Sequence, residues 1–120
     1  MPFEHHLKLT VAERHADGVT IHFPLSPDFL NSHGVLHGGI AATIADEAAW
    51  HAIENNFGYG ARKSTTTELK VNYLRQIVGD KVTARAYLVR AGQTLCVSRV
   101  DIFDQQKKLS AIGIVTYMLL

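Results

Sequence analysis

The sequence predicts an α+β fold, a curved antiparallel sheet wrapped around one long central helix. Three observations carry that expectation. Short segments of alternating apolar and polar residues, bounded by turn residues, lie on both sides of the chain's middle. One alanine-rich run, from about Gly38 or Gly39 to about Asn56, has helical character and is followed by Gly58 as a C-cap. The segments after it are long and joined by tight turns, which requires antiparallel neighbours.

In chain order, Leu7 to Glu13 and Val19 to Leu25 read as two strands around the turn Ala16-Asp17-Gly18. In the second, Val19, Ile21, Phe23 and Leu25 point one way, and Pro24 and Pro27 lead into a loop ending near Gly34. After the helix, Lys63 to Leu74 alternates with Leu69, Val71 and Tyr73 on one face. Lys81 to Arg90 follows, then the turn Ala91-Gly92-Gln93, Leu95 to Phe103, a polar turn Asp104 to Lys108, and Leu109 to Leu119. Together these read as an antiparallel meander.

The 120 residues suffice for one domain with one core, so residues 1–120 are treated as a single unit. With 47% hydrophobic and 19% charged residues the composition is that of an ordinary globular protein. A net charge of +1 leaves no electrostatic footprint for nucleic acid. No apolar run approaches the roughly 20 residues of a membrane span. The N-terminus lacks the regions of a signal peptide, and the lone Cys96 excludes an internal disulfide, so a cytoplasmic location is expected. Cys96, in an apolar strand, reads as a packed thiol.

The stretch Asn31 to Asp46 carries the chemistry. His37-Gly38-Gly39 opens the helix, whose free N–H groups accept negative charge. At about 100° per residue, Ile40, Ala41, Ile44, Ala45, Ala48 and Ala52 form the apolar arc, and Thr43, Glu47 and Glu54 form a polar stripe expected to face water. Asp46 falls outside that stripe, close to Ile53 and Phe57, with Trp50 one turn on. A carboxylate there is either an edge residue that sees water or a functional group that activates water or attacks directly. Gly38 and Asp46 are eight residues apart, or roughly 12 Å along a helix. One carbonyl carbon cannot meet both from the same helix. If the two act together, two antiparallel helices about a two-fold axis must bring the amide of one chain to the carboxylate of another, which requires a dimer.

Asn31, His37-Gly38-Gly39 and Asp46 resemble the signature of hotdog-fold acyl-CoA thioesterases, most closely the phenylacetate-degradation (PaaI-like) branch, near the 4-hydroxybenzoyl-CoA thioesterases. Thr67 to Arg75 is similar to that family's strand after the helix, and Arg90 to Leu95 to its hairpin turn. The resemblance implies an acyl-CoA substrate, no cofactor, and a homodimer or dimer of dimers with active sites shared between subunits. It implies that Asp46 is general base or nucleophile and that the Gly38 amide polarises the thioester carbonyl. It implies that His37 shapes the turn, beside Gly39, and that Asn31 holds the attacking water or the carboxylate. The family's strand hydroxyl falls on Ser64 or Thr66, with Thr66 favoured because the preceding loop varies in length.

Three positions depart from the family pattern. Trp50 stands where relatives often carry Ser or Thr, which suggests a bulkier substrate-pocket wall. Gln76 replaces a proline, and Gln93 replaces a basic residue that meets a CoA phosphate, a charge that Arg90, or Arg62 with Lys63, would supply instead. His33 and His37 lie in a glycine-containing loop with no Cys to support them, so no metal is expected. His51 reads as a packed residue, and His5, His6 and His15 as surface ones.

Two other functions compete with thioester hydrolysis. A hotdog hydroxyacyl dehydratase is suggested by His22-Phe23-Pro24 and Gly34-Val35-Leu36, but its acid would fall at Gly39. A non-catalytic acyl-CoA-binding protein would have no need of Asp46. The acyl group expected for a hydrolase is aromatic or medium-chain, from Trp50, Phe57 and Tyr59.

Overall fold

The computed structural model describes residues 2–120. A 3-10 turn (Phe3–His6) leads into strands β1 (Thr10–His15) and β2 (Gly18–Pro24). A second 3-10 turn (Pro27–Phe29) precedes helix α1 (Gly38–Phe57), which is followed by β3 (Ser64–Tyr73), β4 (Lys81–Ala91), β5 (Leu95–Phe103) and β6 (Leu109–Leu119). The six strands form one antiparallel sheet in the order β1-β2-β4-β5-β6-β3, with α1 against one face. This is the predicted α+β hotdog arrangement. No helix among the described residues is long and apolar enough to cross a membrane.

Two expectations about the strands need correcting. The first strand begins at Thr10 rather than Leu7, because Lys8 takes a left-handed φ of 55° and breaks the extended chain. Leu7 instead turns inward and is fully buried, an anchor worth about 1.5–3 kcal/mol that pins the N-terminal segment to the core. The second correction concerns the meander, which holds for β4-β5-β6 only. β3 pairs with β6 at the far edge, and β4 pairs with β2. The tight turns at 92–94 and 104–108 make sequential hairpins, whereas residues 74–80 are long enough to carry the chain from the sheet edge to its middle.

β3 therefore has β6 on one side and, among the described residues, no strand on the other. That accounts for its exposure. Of the residues expected to share an apolar face, Leu69 and Tyr73 are exposed and only Val71 is partly buried.

The core lies between α1 and the sheet, and small residues fill it. Ala41, Ala45, Ala48, Ala49 and Ala52 of the helix face a sheet that presents Ala84, Ala86 and Ala111, all buried. On β6 the inward residues are Ala111, Gly113, Val115, Tyr117 and Leu119, alternating with more exposed neighbours as a half-buried strand requires. The helix comes close at Gly113, where an added Cβ would lie 3.1 Å from the Cβ of Ala45. Substituting Gly113→Val is expected to push the helix off the sheet and to lower unfolding stability by about 1–3 kcal/mol, read from a denaturant titration. An unchanged midpoint would show that α1 is not seated on this residue.

Candidate active site

The helix start is built by His37. It is the N-cap of α1, and its Nδ1 accepts the Gly39 N–H at 3.0 Å, so the ring proton sits on Nε2. The His37 carbonyl accepts the N–H groups of Ile40 and Ala41. Of the first four helical N–H groups, Gly38 alone has no acceptor among the described residues. Its carbonyl takes the Tyr73 hydroxyl at 2.5 Å, which fixes the turn from the β3 side. The Gly38 amide is thus a positioned, uncommitted donor at the positive end of the helix.

Two turns on, Asp46 is held from two strands. Thr66 of β3 donates its hydroxyl to Asp46 Oδ1 at 2.8 Å. Tyr117 of β6 donates to the same oxygen at 2.8 Å and approaches the Asp46 carbonyl at 3.1 Å. Oδ2 has no hydrogen-bond partner among the described residues. One oxygen is anchored while the other is left to take a proton or attack. Between the two candidate strand hydroxyls, Thr66 makes this contact and Ser64 lies two residues nearer the strand start.

Tyr117 escaped the sequence reading. Its signal was a tyrosine on the inward face of an otherwise small and apolar strand, since a buried phenol needs a polar partner. Burial pushes that phenol well above the ordinary tyrosine range, so it remains a proton donor to Asp46.

Asn31 closes its own loop. Its Oδ1 accepts the N–H groups of His33 at 2.8 Å and Val35 at 3.3 Å, and its backbone pairs with Val35 and Gly34. The side chain lines a cleft of about 380 Å³ with Ala41, Tyr73 and Arg75, near the helix start, and makes no hydrogen bond to Asp46. Arg90, Arg62 and Lys63 share one end of the sheet. There Leu119 N–H meets the Thr94 carbonyl and Leu120 N–H the Lys63 carbonyl, while Arg62 stacks 5.6 Å from the Phe57 ring. Lys63 lies three residues before Thr66, or about 10 Å along the strand. Cys96 is buried, as its surroundings suggest.

The polar stripe of α1 does not face open water. Glu54 is 5% exposed, and its Oε2 has no partner among the described residues. In the loop after the helix, the Tyr59 hydroxyl bonds His51 Nδ1 at 2.7 Å and its ring packs against Trp50. His51 is packed, as expected, and burial, with the charge of Arg14, lowers the pKa of its imidazole. Glu47 is half-buried in a cleft of about 610 Å³ between the helix and the N-terminal segment, with Trp50 and Tyr117 in the same wall. Burial, then the charges of Asp46 and Glu4, push its carboxyl up to about 7.

A raised carboxyl pKa has a definite sign in stability. Between pH 4.5, where an ordinary Glu ionises, and about 7, the unfolded chain releases a proton that the folded chain retains, so stability falls across that window. For a half-exposed group the effect is on the order of 1–2 kcal/mol after solvent screening. Glu47→Gln should therefore raise Tm relative to the parent at about pH 8 and leave it nearly unchanged at about pH 4.5. A Tm difference independent of pH would show that Glu47 titrates normally.

Comparison with known proteins bears on the family and the fold. The family model described as the thioesterase superfamily matches residues 33–111, a span that runs from the loop before His37 into β6. A medium/long-chain acyl-CoA thioesterase of Escherichia coli, YigI, is 26% identical over 132 residues, covering 98% of this chain and 85% of that protein. Among solved structures, thioesterase HI1161 of Haemophilus influenzae has a TM-score of 0.88 at 25% identity, covering 97% of this chain and 80% of that one. A conserved Pseudomonas aeruginosa protein, PA5202, has a TM-score of 0.90 at 26% identity over 100% of this chain and 94% of its own.

Proposed function

Because the chain belongs to the thioesterase superfamily, we propose that it hydrolyses acyl-CoA thioesters to the free acid and CoA, with Asp46 as the reacting carboxylate. The observation that carries this reading is the two-hydroxyl anchorage of Asp46 Oδ1 by Thr66 and Tyr117, with Oδ2 left open. An anchored carboxylate with one free oxygen is poised for general-base work, and a pure binding module gains nothing from it. The dehydratase alternative gains no support, since Gly39 holds no acid and its N–H is spent on His37.

In the general-base route, Asp46 Oδ2 takes a proton from water as the water oxygen bonds to the thioester carbonyl carbon. The carbonyl oxygen gathers negative charge, which a Gly38 N–H stabilises. The carbon–sulfur bond then breaks, and the thiolate leaves with the proton. In the alternative route Oδ2 attacks the carbonyl carbon and the carbon–sulfur bond breaks to release the CoA thiolate; water then opens the anhydride, which frees the acid, restores the Asp46 carboxylate and leaves a proton for the thiolate. Both routes use the same atoms.

One protomer cannot supply both groups to one carbon, because Gly38 and Asp46 sit at opposite ends of two and a bit helical turns. The active assembly is therefore a homodimer, or a dimer of dimers, in which the Gly38 amide of one chain serves the Asp46 of another. The open edge of β3, which carries Thr66 next to Asp46, suits that pairing. Asn31 and His37 shape the loop that a second chain would bring to the carboxylate. Gly39 keeps that turn tight.

The acyl group would enter beside Trp50, and CoA would leave toward the sheet end that carries Arg62, Lys63 and Arg90. An aromatic or medium-chain acyl group fits the apolar side chains near Asp46. The phenylacetate-degradation branch and a cytoplasmic setting remain the favoured finer placements. The name of YigI, a medium/long-chain thioesterase, points to similar acyl lengths. Surface cations contribute little each, so the acyl group should dominate selectivity.

Purified protein should release free thiol from phenylacetyl-CoA and medium-chain acyl-CoA faster than from acetyl-CoA, since each added buried CH₂ is worth roughly 0.8 kcal/mol. Asp46→Asn should lower kcat by about 100-fold or more while KM and the circular dichroism spectrum stay close to the parent's. Equal rates on acetyl-CoA and phenylacetyl-CoA would contradict the acyl-pocket reading. No thiol release from any substrate would leave binding alone as the function.

A further inference from the structure

The cleft beside Asp46 is not a simple apolar tunnel. Its helix wall carries Glu47, Trp50 and His51, and the N-terminal segment across from it brings Glu4, His5 and Lys8. Tyr117, whose hydroxyl is committed to Asp46, joins the cleft to the reacting carboxylate. Polar groups therefore line the space that an acyl chain would fill on leaving Asp46.

A plain alkyl chain there would strip water from Glu47, His51 and Lys8 and return no hydrogen bond. An acyl group with its own hydrogen-bond acceptor would replace that water. We propose that Glu47 is a specificity-determining residue, donating a hydrogen bond from its carboxyl to an acceptor oxygen carried a few bonds along the acyl chain, so that oxo-substituted acyl thioesters are preferred to plain alkyl ones. This rests on the thioesterase reading given above. Adjacency sets the position of the acceptor. Glu47 follows Asp46 directly, about 3.8 Å away at Cα, so it reaches the part of the chain close to the thioester carbonyl and not its far end.

Two further observations fit. His51 Nδ1 is already engaged by Tyr59, and Glu47 is the carboxyl that the helix wall offers to a ligand. Burial and the facing charges of Asp46 and Glu4 hold the Glu47 carboxyl protonated up to about 7, and in that form it donates. His5 and Lys8 face the same space from the N-terminal segment and supply donors that do not depend on Glu47, so the preference should weaken rather than invert when Glu47 ionises.

The test compares levulinoyl-CoA with pentanoyl-CoA, which share a chain length and differ by one oxo group. For the parent protein, kcat/KM should favour levulinoyl-CoA by about 10-fold at about pH 6, falling at least about threefold by about pH 8.5. Glu47→Gln, which keeps an amide donor, should retain the preference and lose its pH dependence. Glu47→Met should lower the ratio to about threefold or less at both pH values, the part that His5 and Lys8 support. The non-hydrolysable thioethers of CoA bearing the same two chains, titrated calorimetrically, should show the same ranking in affinity without any turnover. A parent protein that hydrolyses both substrates equally, or a preference in Glu47→Met as large as the parent's at about pH 6, overturns the proposal and leaves the thioesterase reading standing. A thioether preference with no hydrolysis of either substrate supports the Glu47 subsite and overturns the thioesterase reading instead.

Discussion

The structure depends on how closely α1 lies on its sheet. Ala45 and Gly113 meet so closely that an added methyl group would force one side to give by a few tenths of an ångström, and buried alanines surround that contact on both sides. A helix faced with leucine would ride higher, at a distance set by its side chains. Held this low, α1 brings Asp46 within reach of a hydroxyl on β6 four residues from Gly113. The alanine face is therefore more than filler: it sets the height at which the carboxylate meets its anchors.

From that height the two acids of the helix take different roles. Asp46 receives two hydroxyl hydrogen bonds from two different strands. Glu47, one residue on, receives none among the described residues and faces a cleft that includes another carboxylate, Glu4. A step of one residue turns the side chain by about 100°. That rotation separates an anchored, reactive carboxylate from one that keeps its proton to near neutrality.

Much of this was legible in the sequence, because local chemistry dictated it. The His37-Gly38-Gly39 turn marks a helix start with free amides, and the 3.6-residue period sets Asp46 apart from the polar stripe. The last two strands, bounded by tight polar turns, have the boundaries expected of them. What escaped depends on contacts distant in sequence. Tyr117 meets Asp46 across 71 residues, and only the fold brings them together. The placement of β3 beside β6 follows from a seven-residue connection at 74–80 that imposes no neighbour. The period placed Glu54 opposite the core, yet Glu54 is buried, which the period of one helix does not report. Periodicity identifies the face turned to the sheet, not what covers the other side.

The central claim is that the Gly38 amide of one chain and the Asp46 carboxylate of another make one site, and mixing two disabled chains tests it most directly. Gly38 is the first helical residue and His37 before it is extended, with φ −60° and ψ 133°, so Gly38→Pro removes the amide proton where proline is tolerated. Alone, Gly38→Pro and Asp46→Asn proteins should each fold and turn over poorly. Mixed in equal amounts under conditions of verified subunit exchange, half of the dimers are hybrid, and each hybrid has one intact site of two. Activity should recover to about a quarter of the parental value. No recovery, with exchange confirmed, would contradict the shared site.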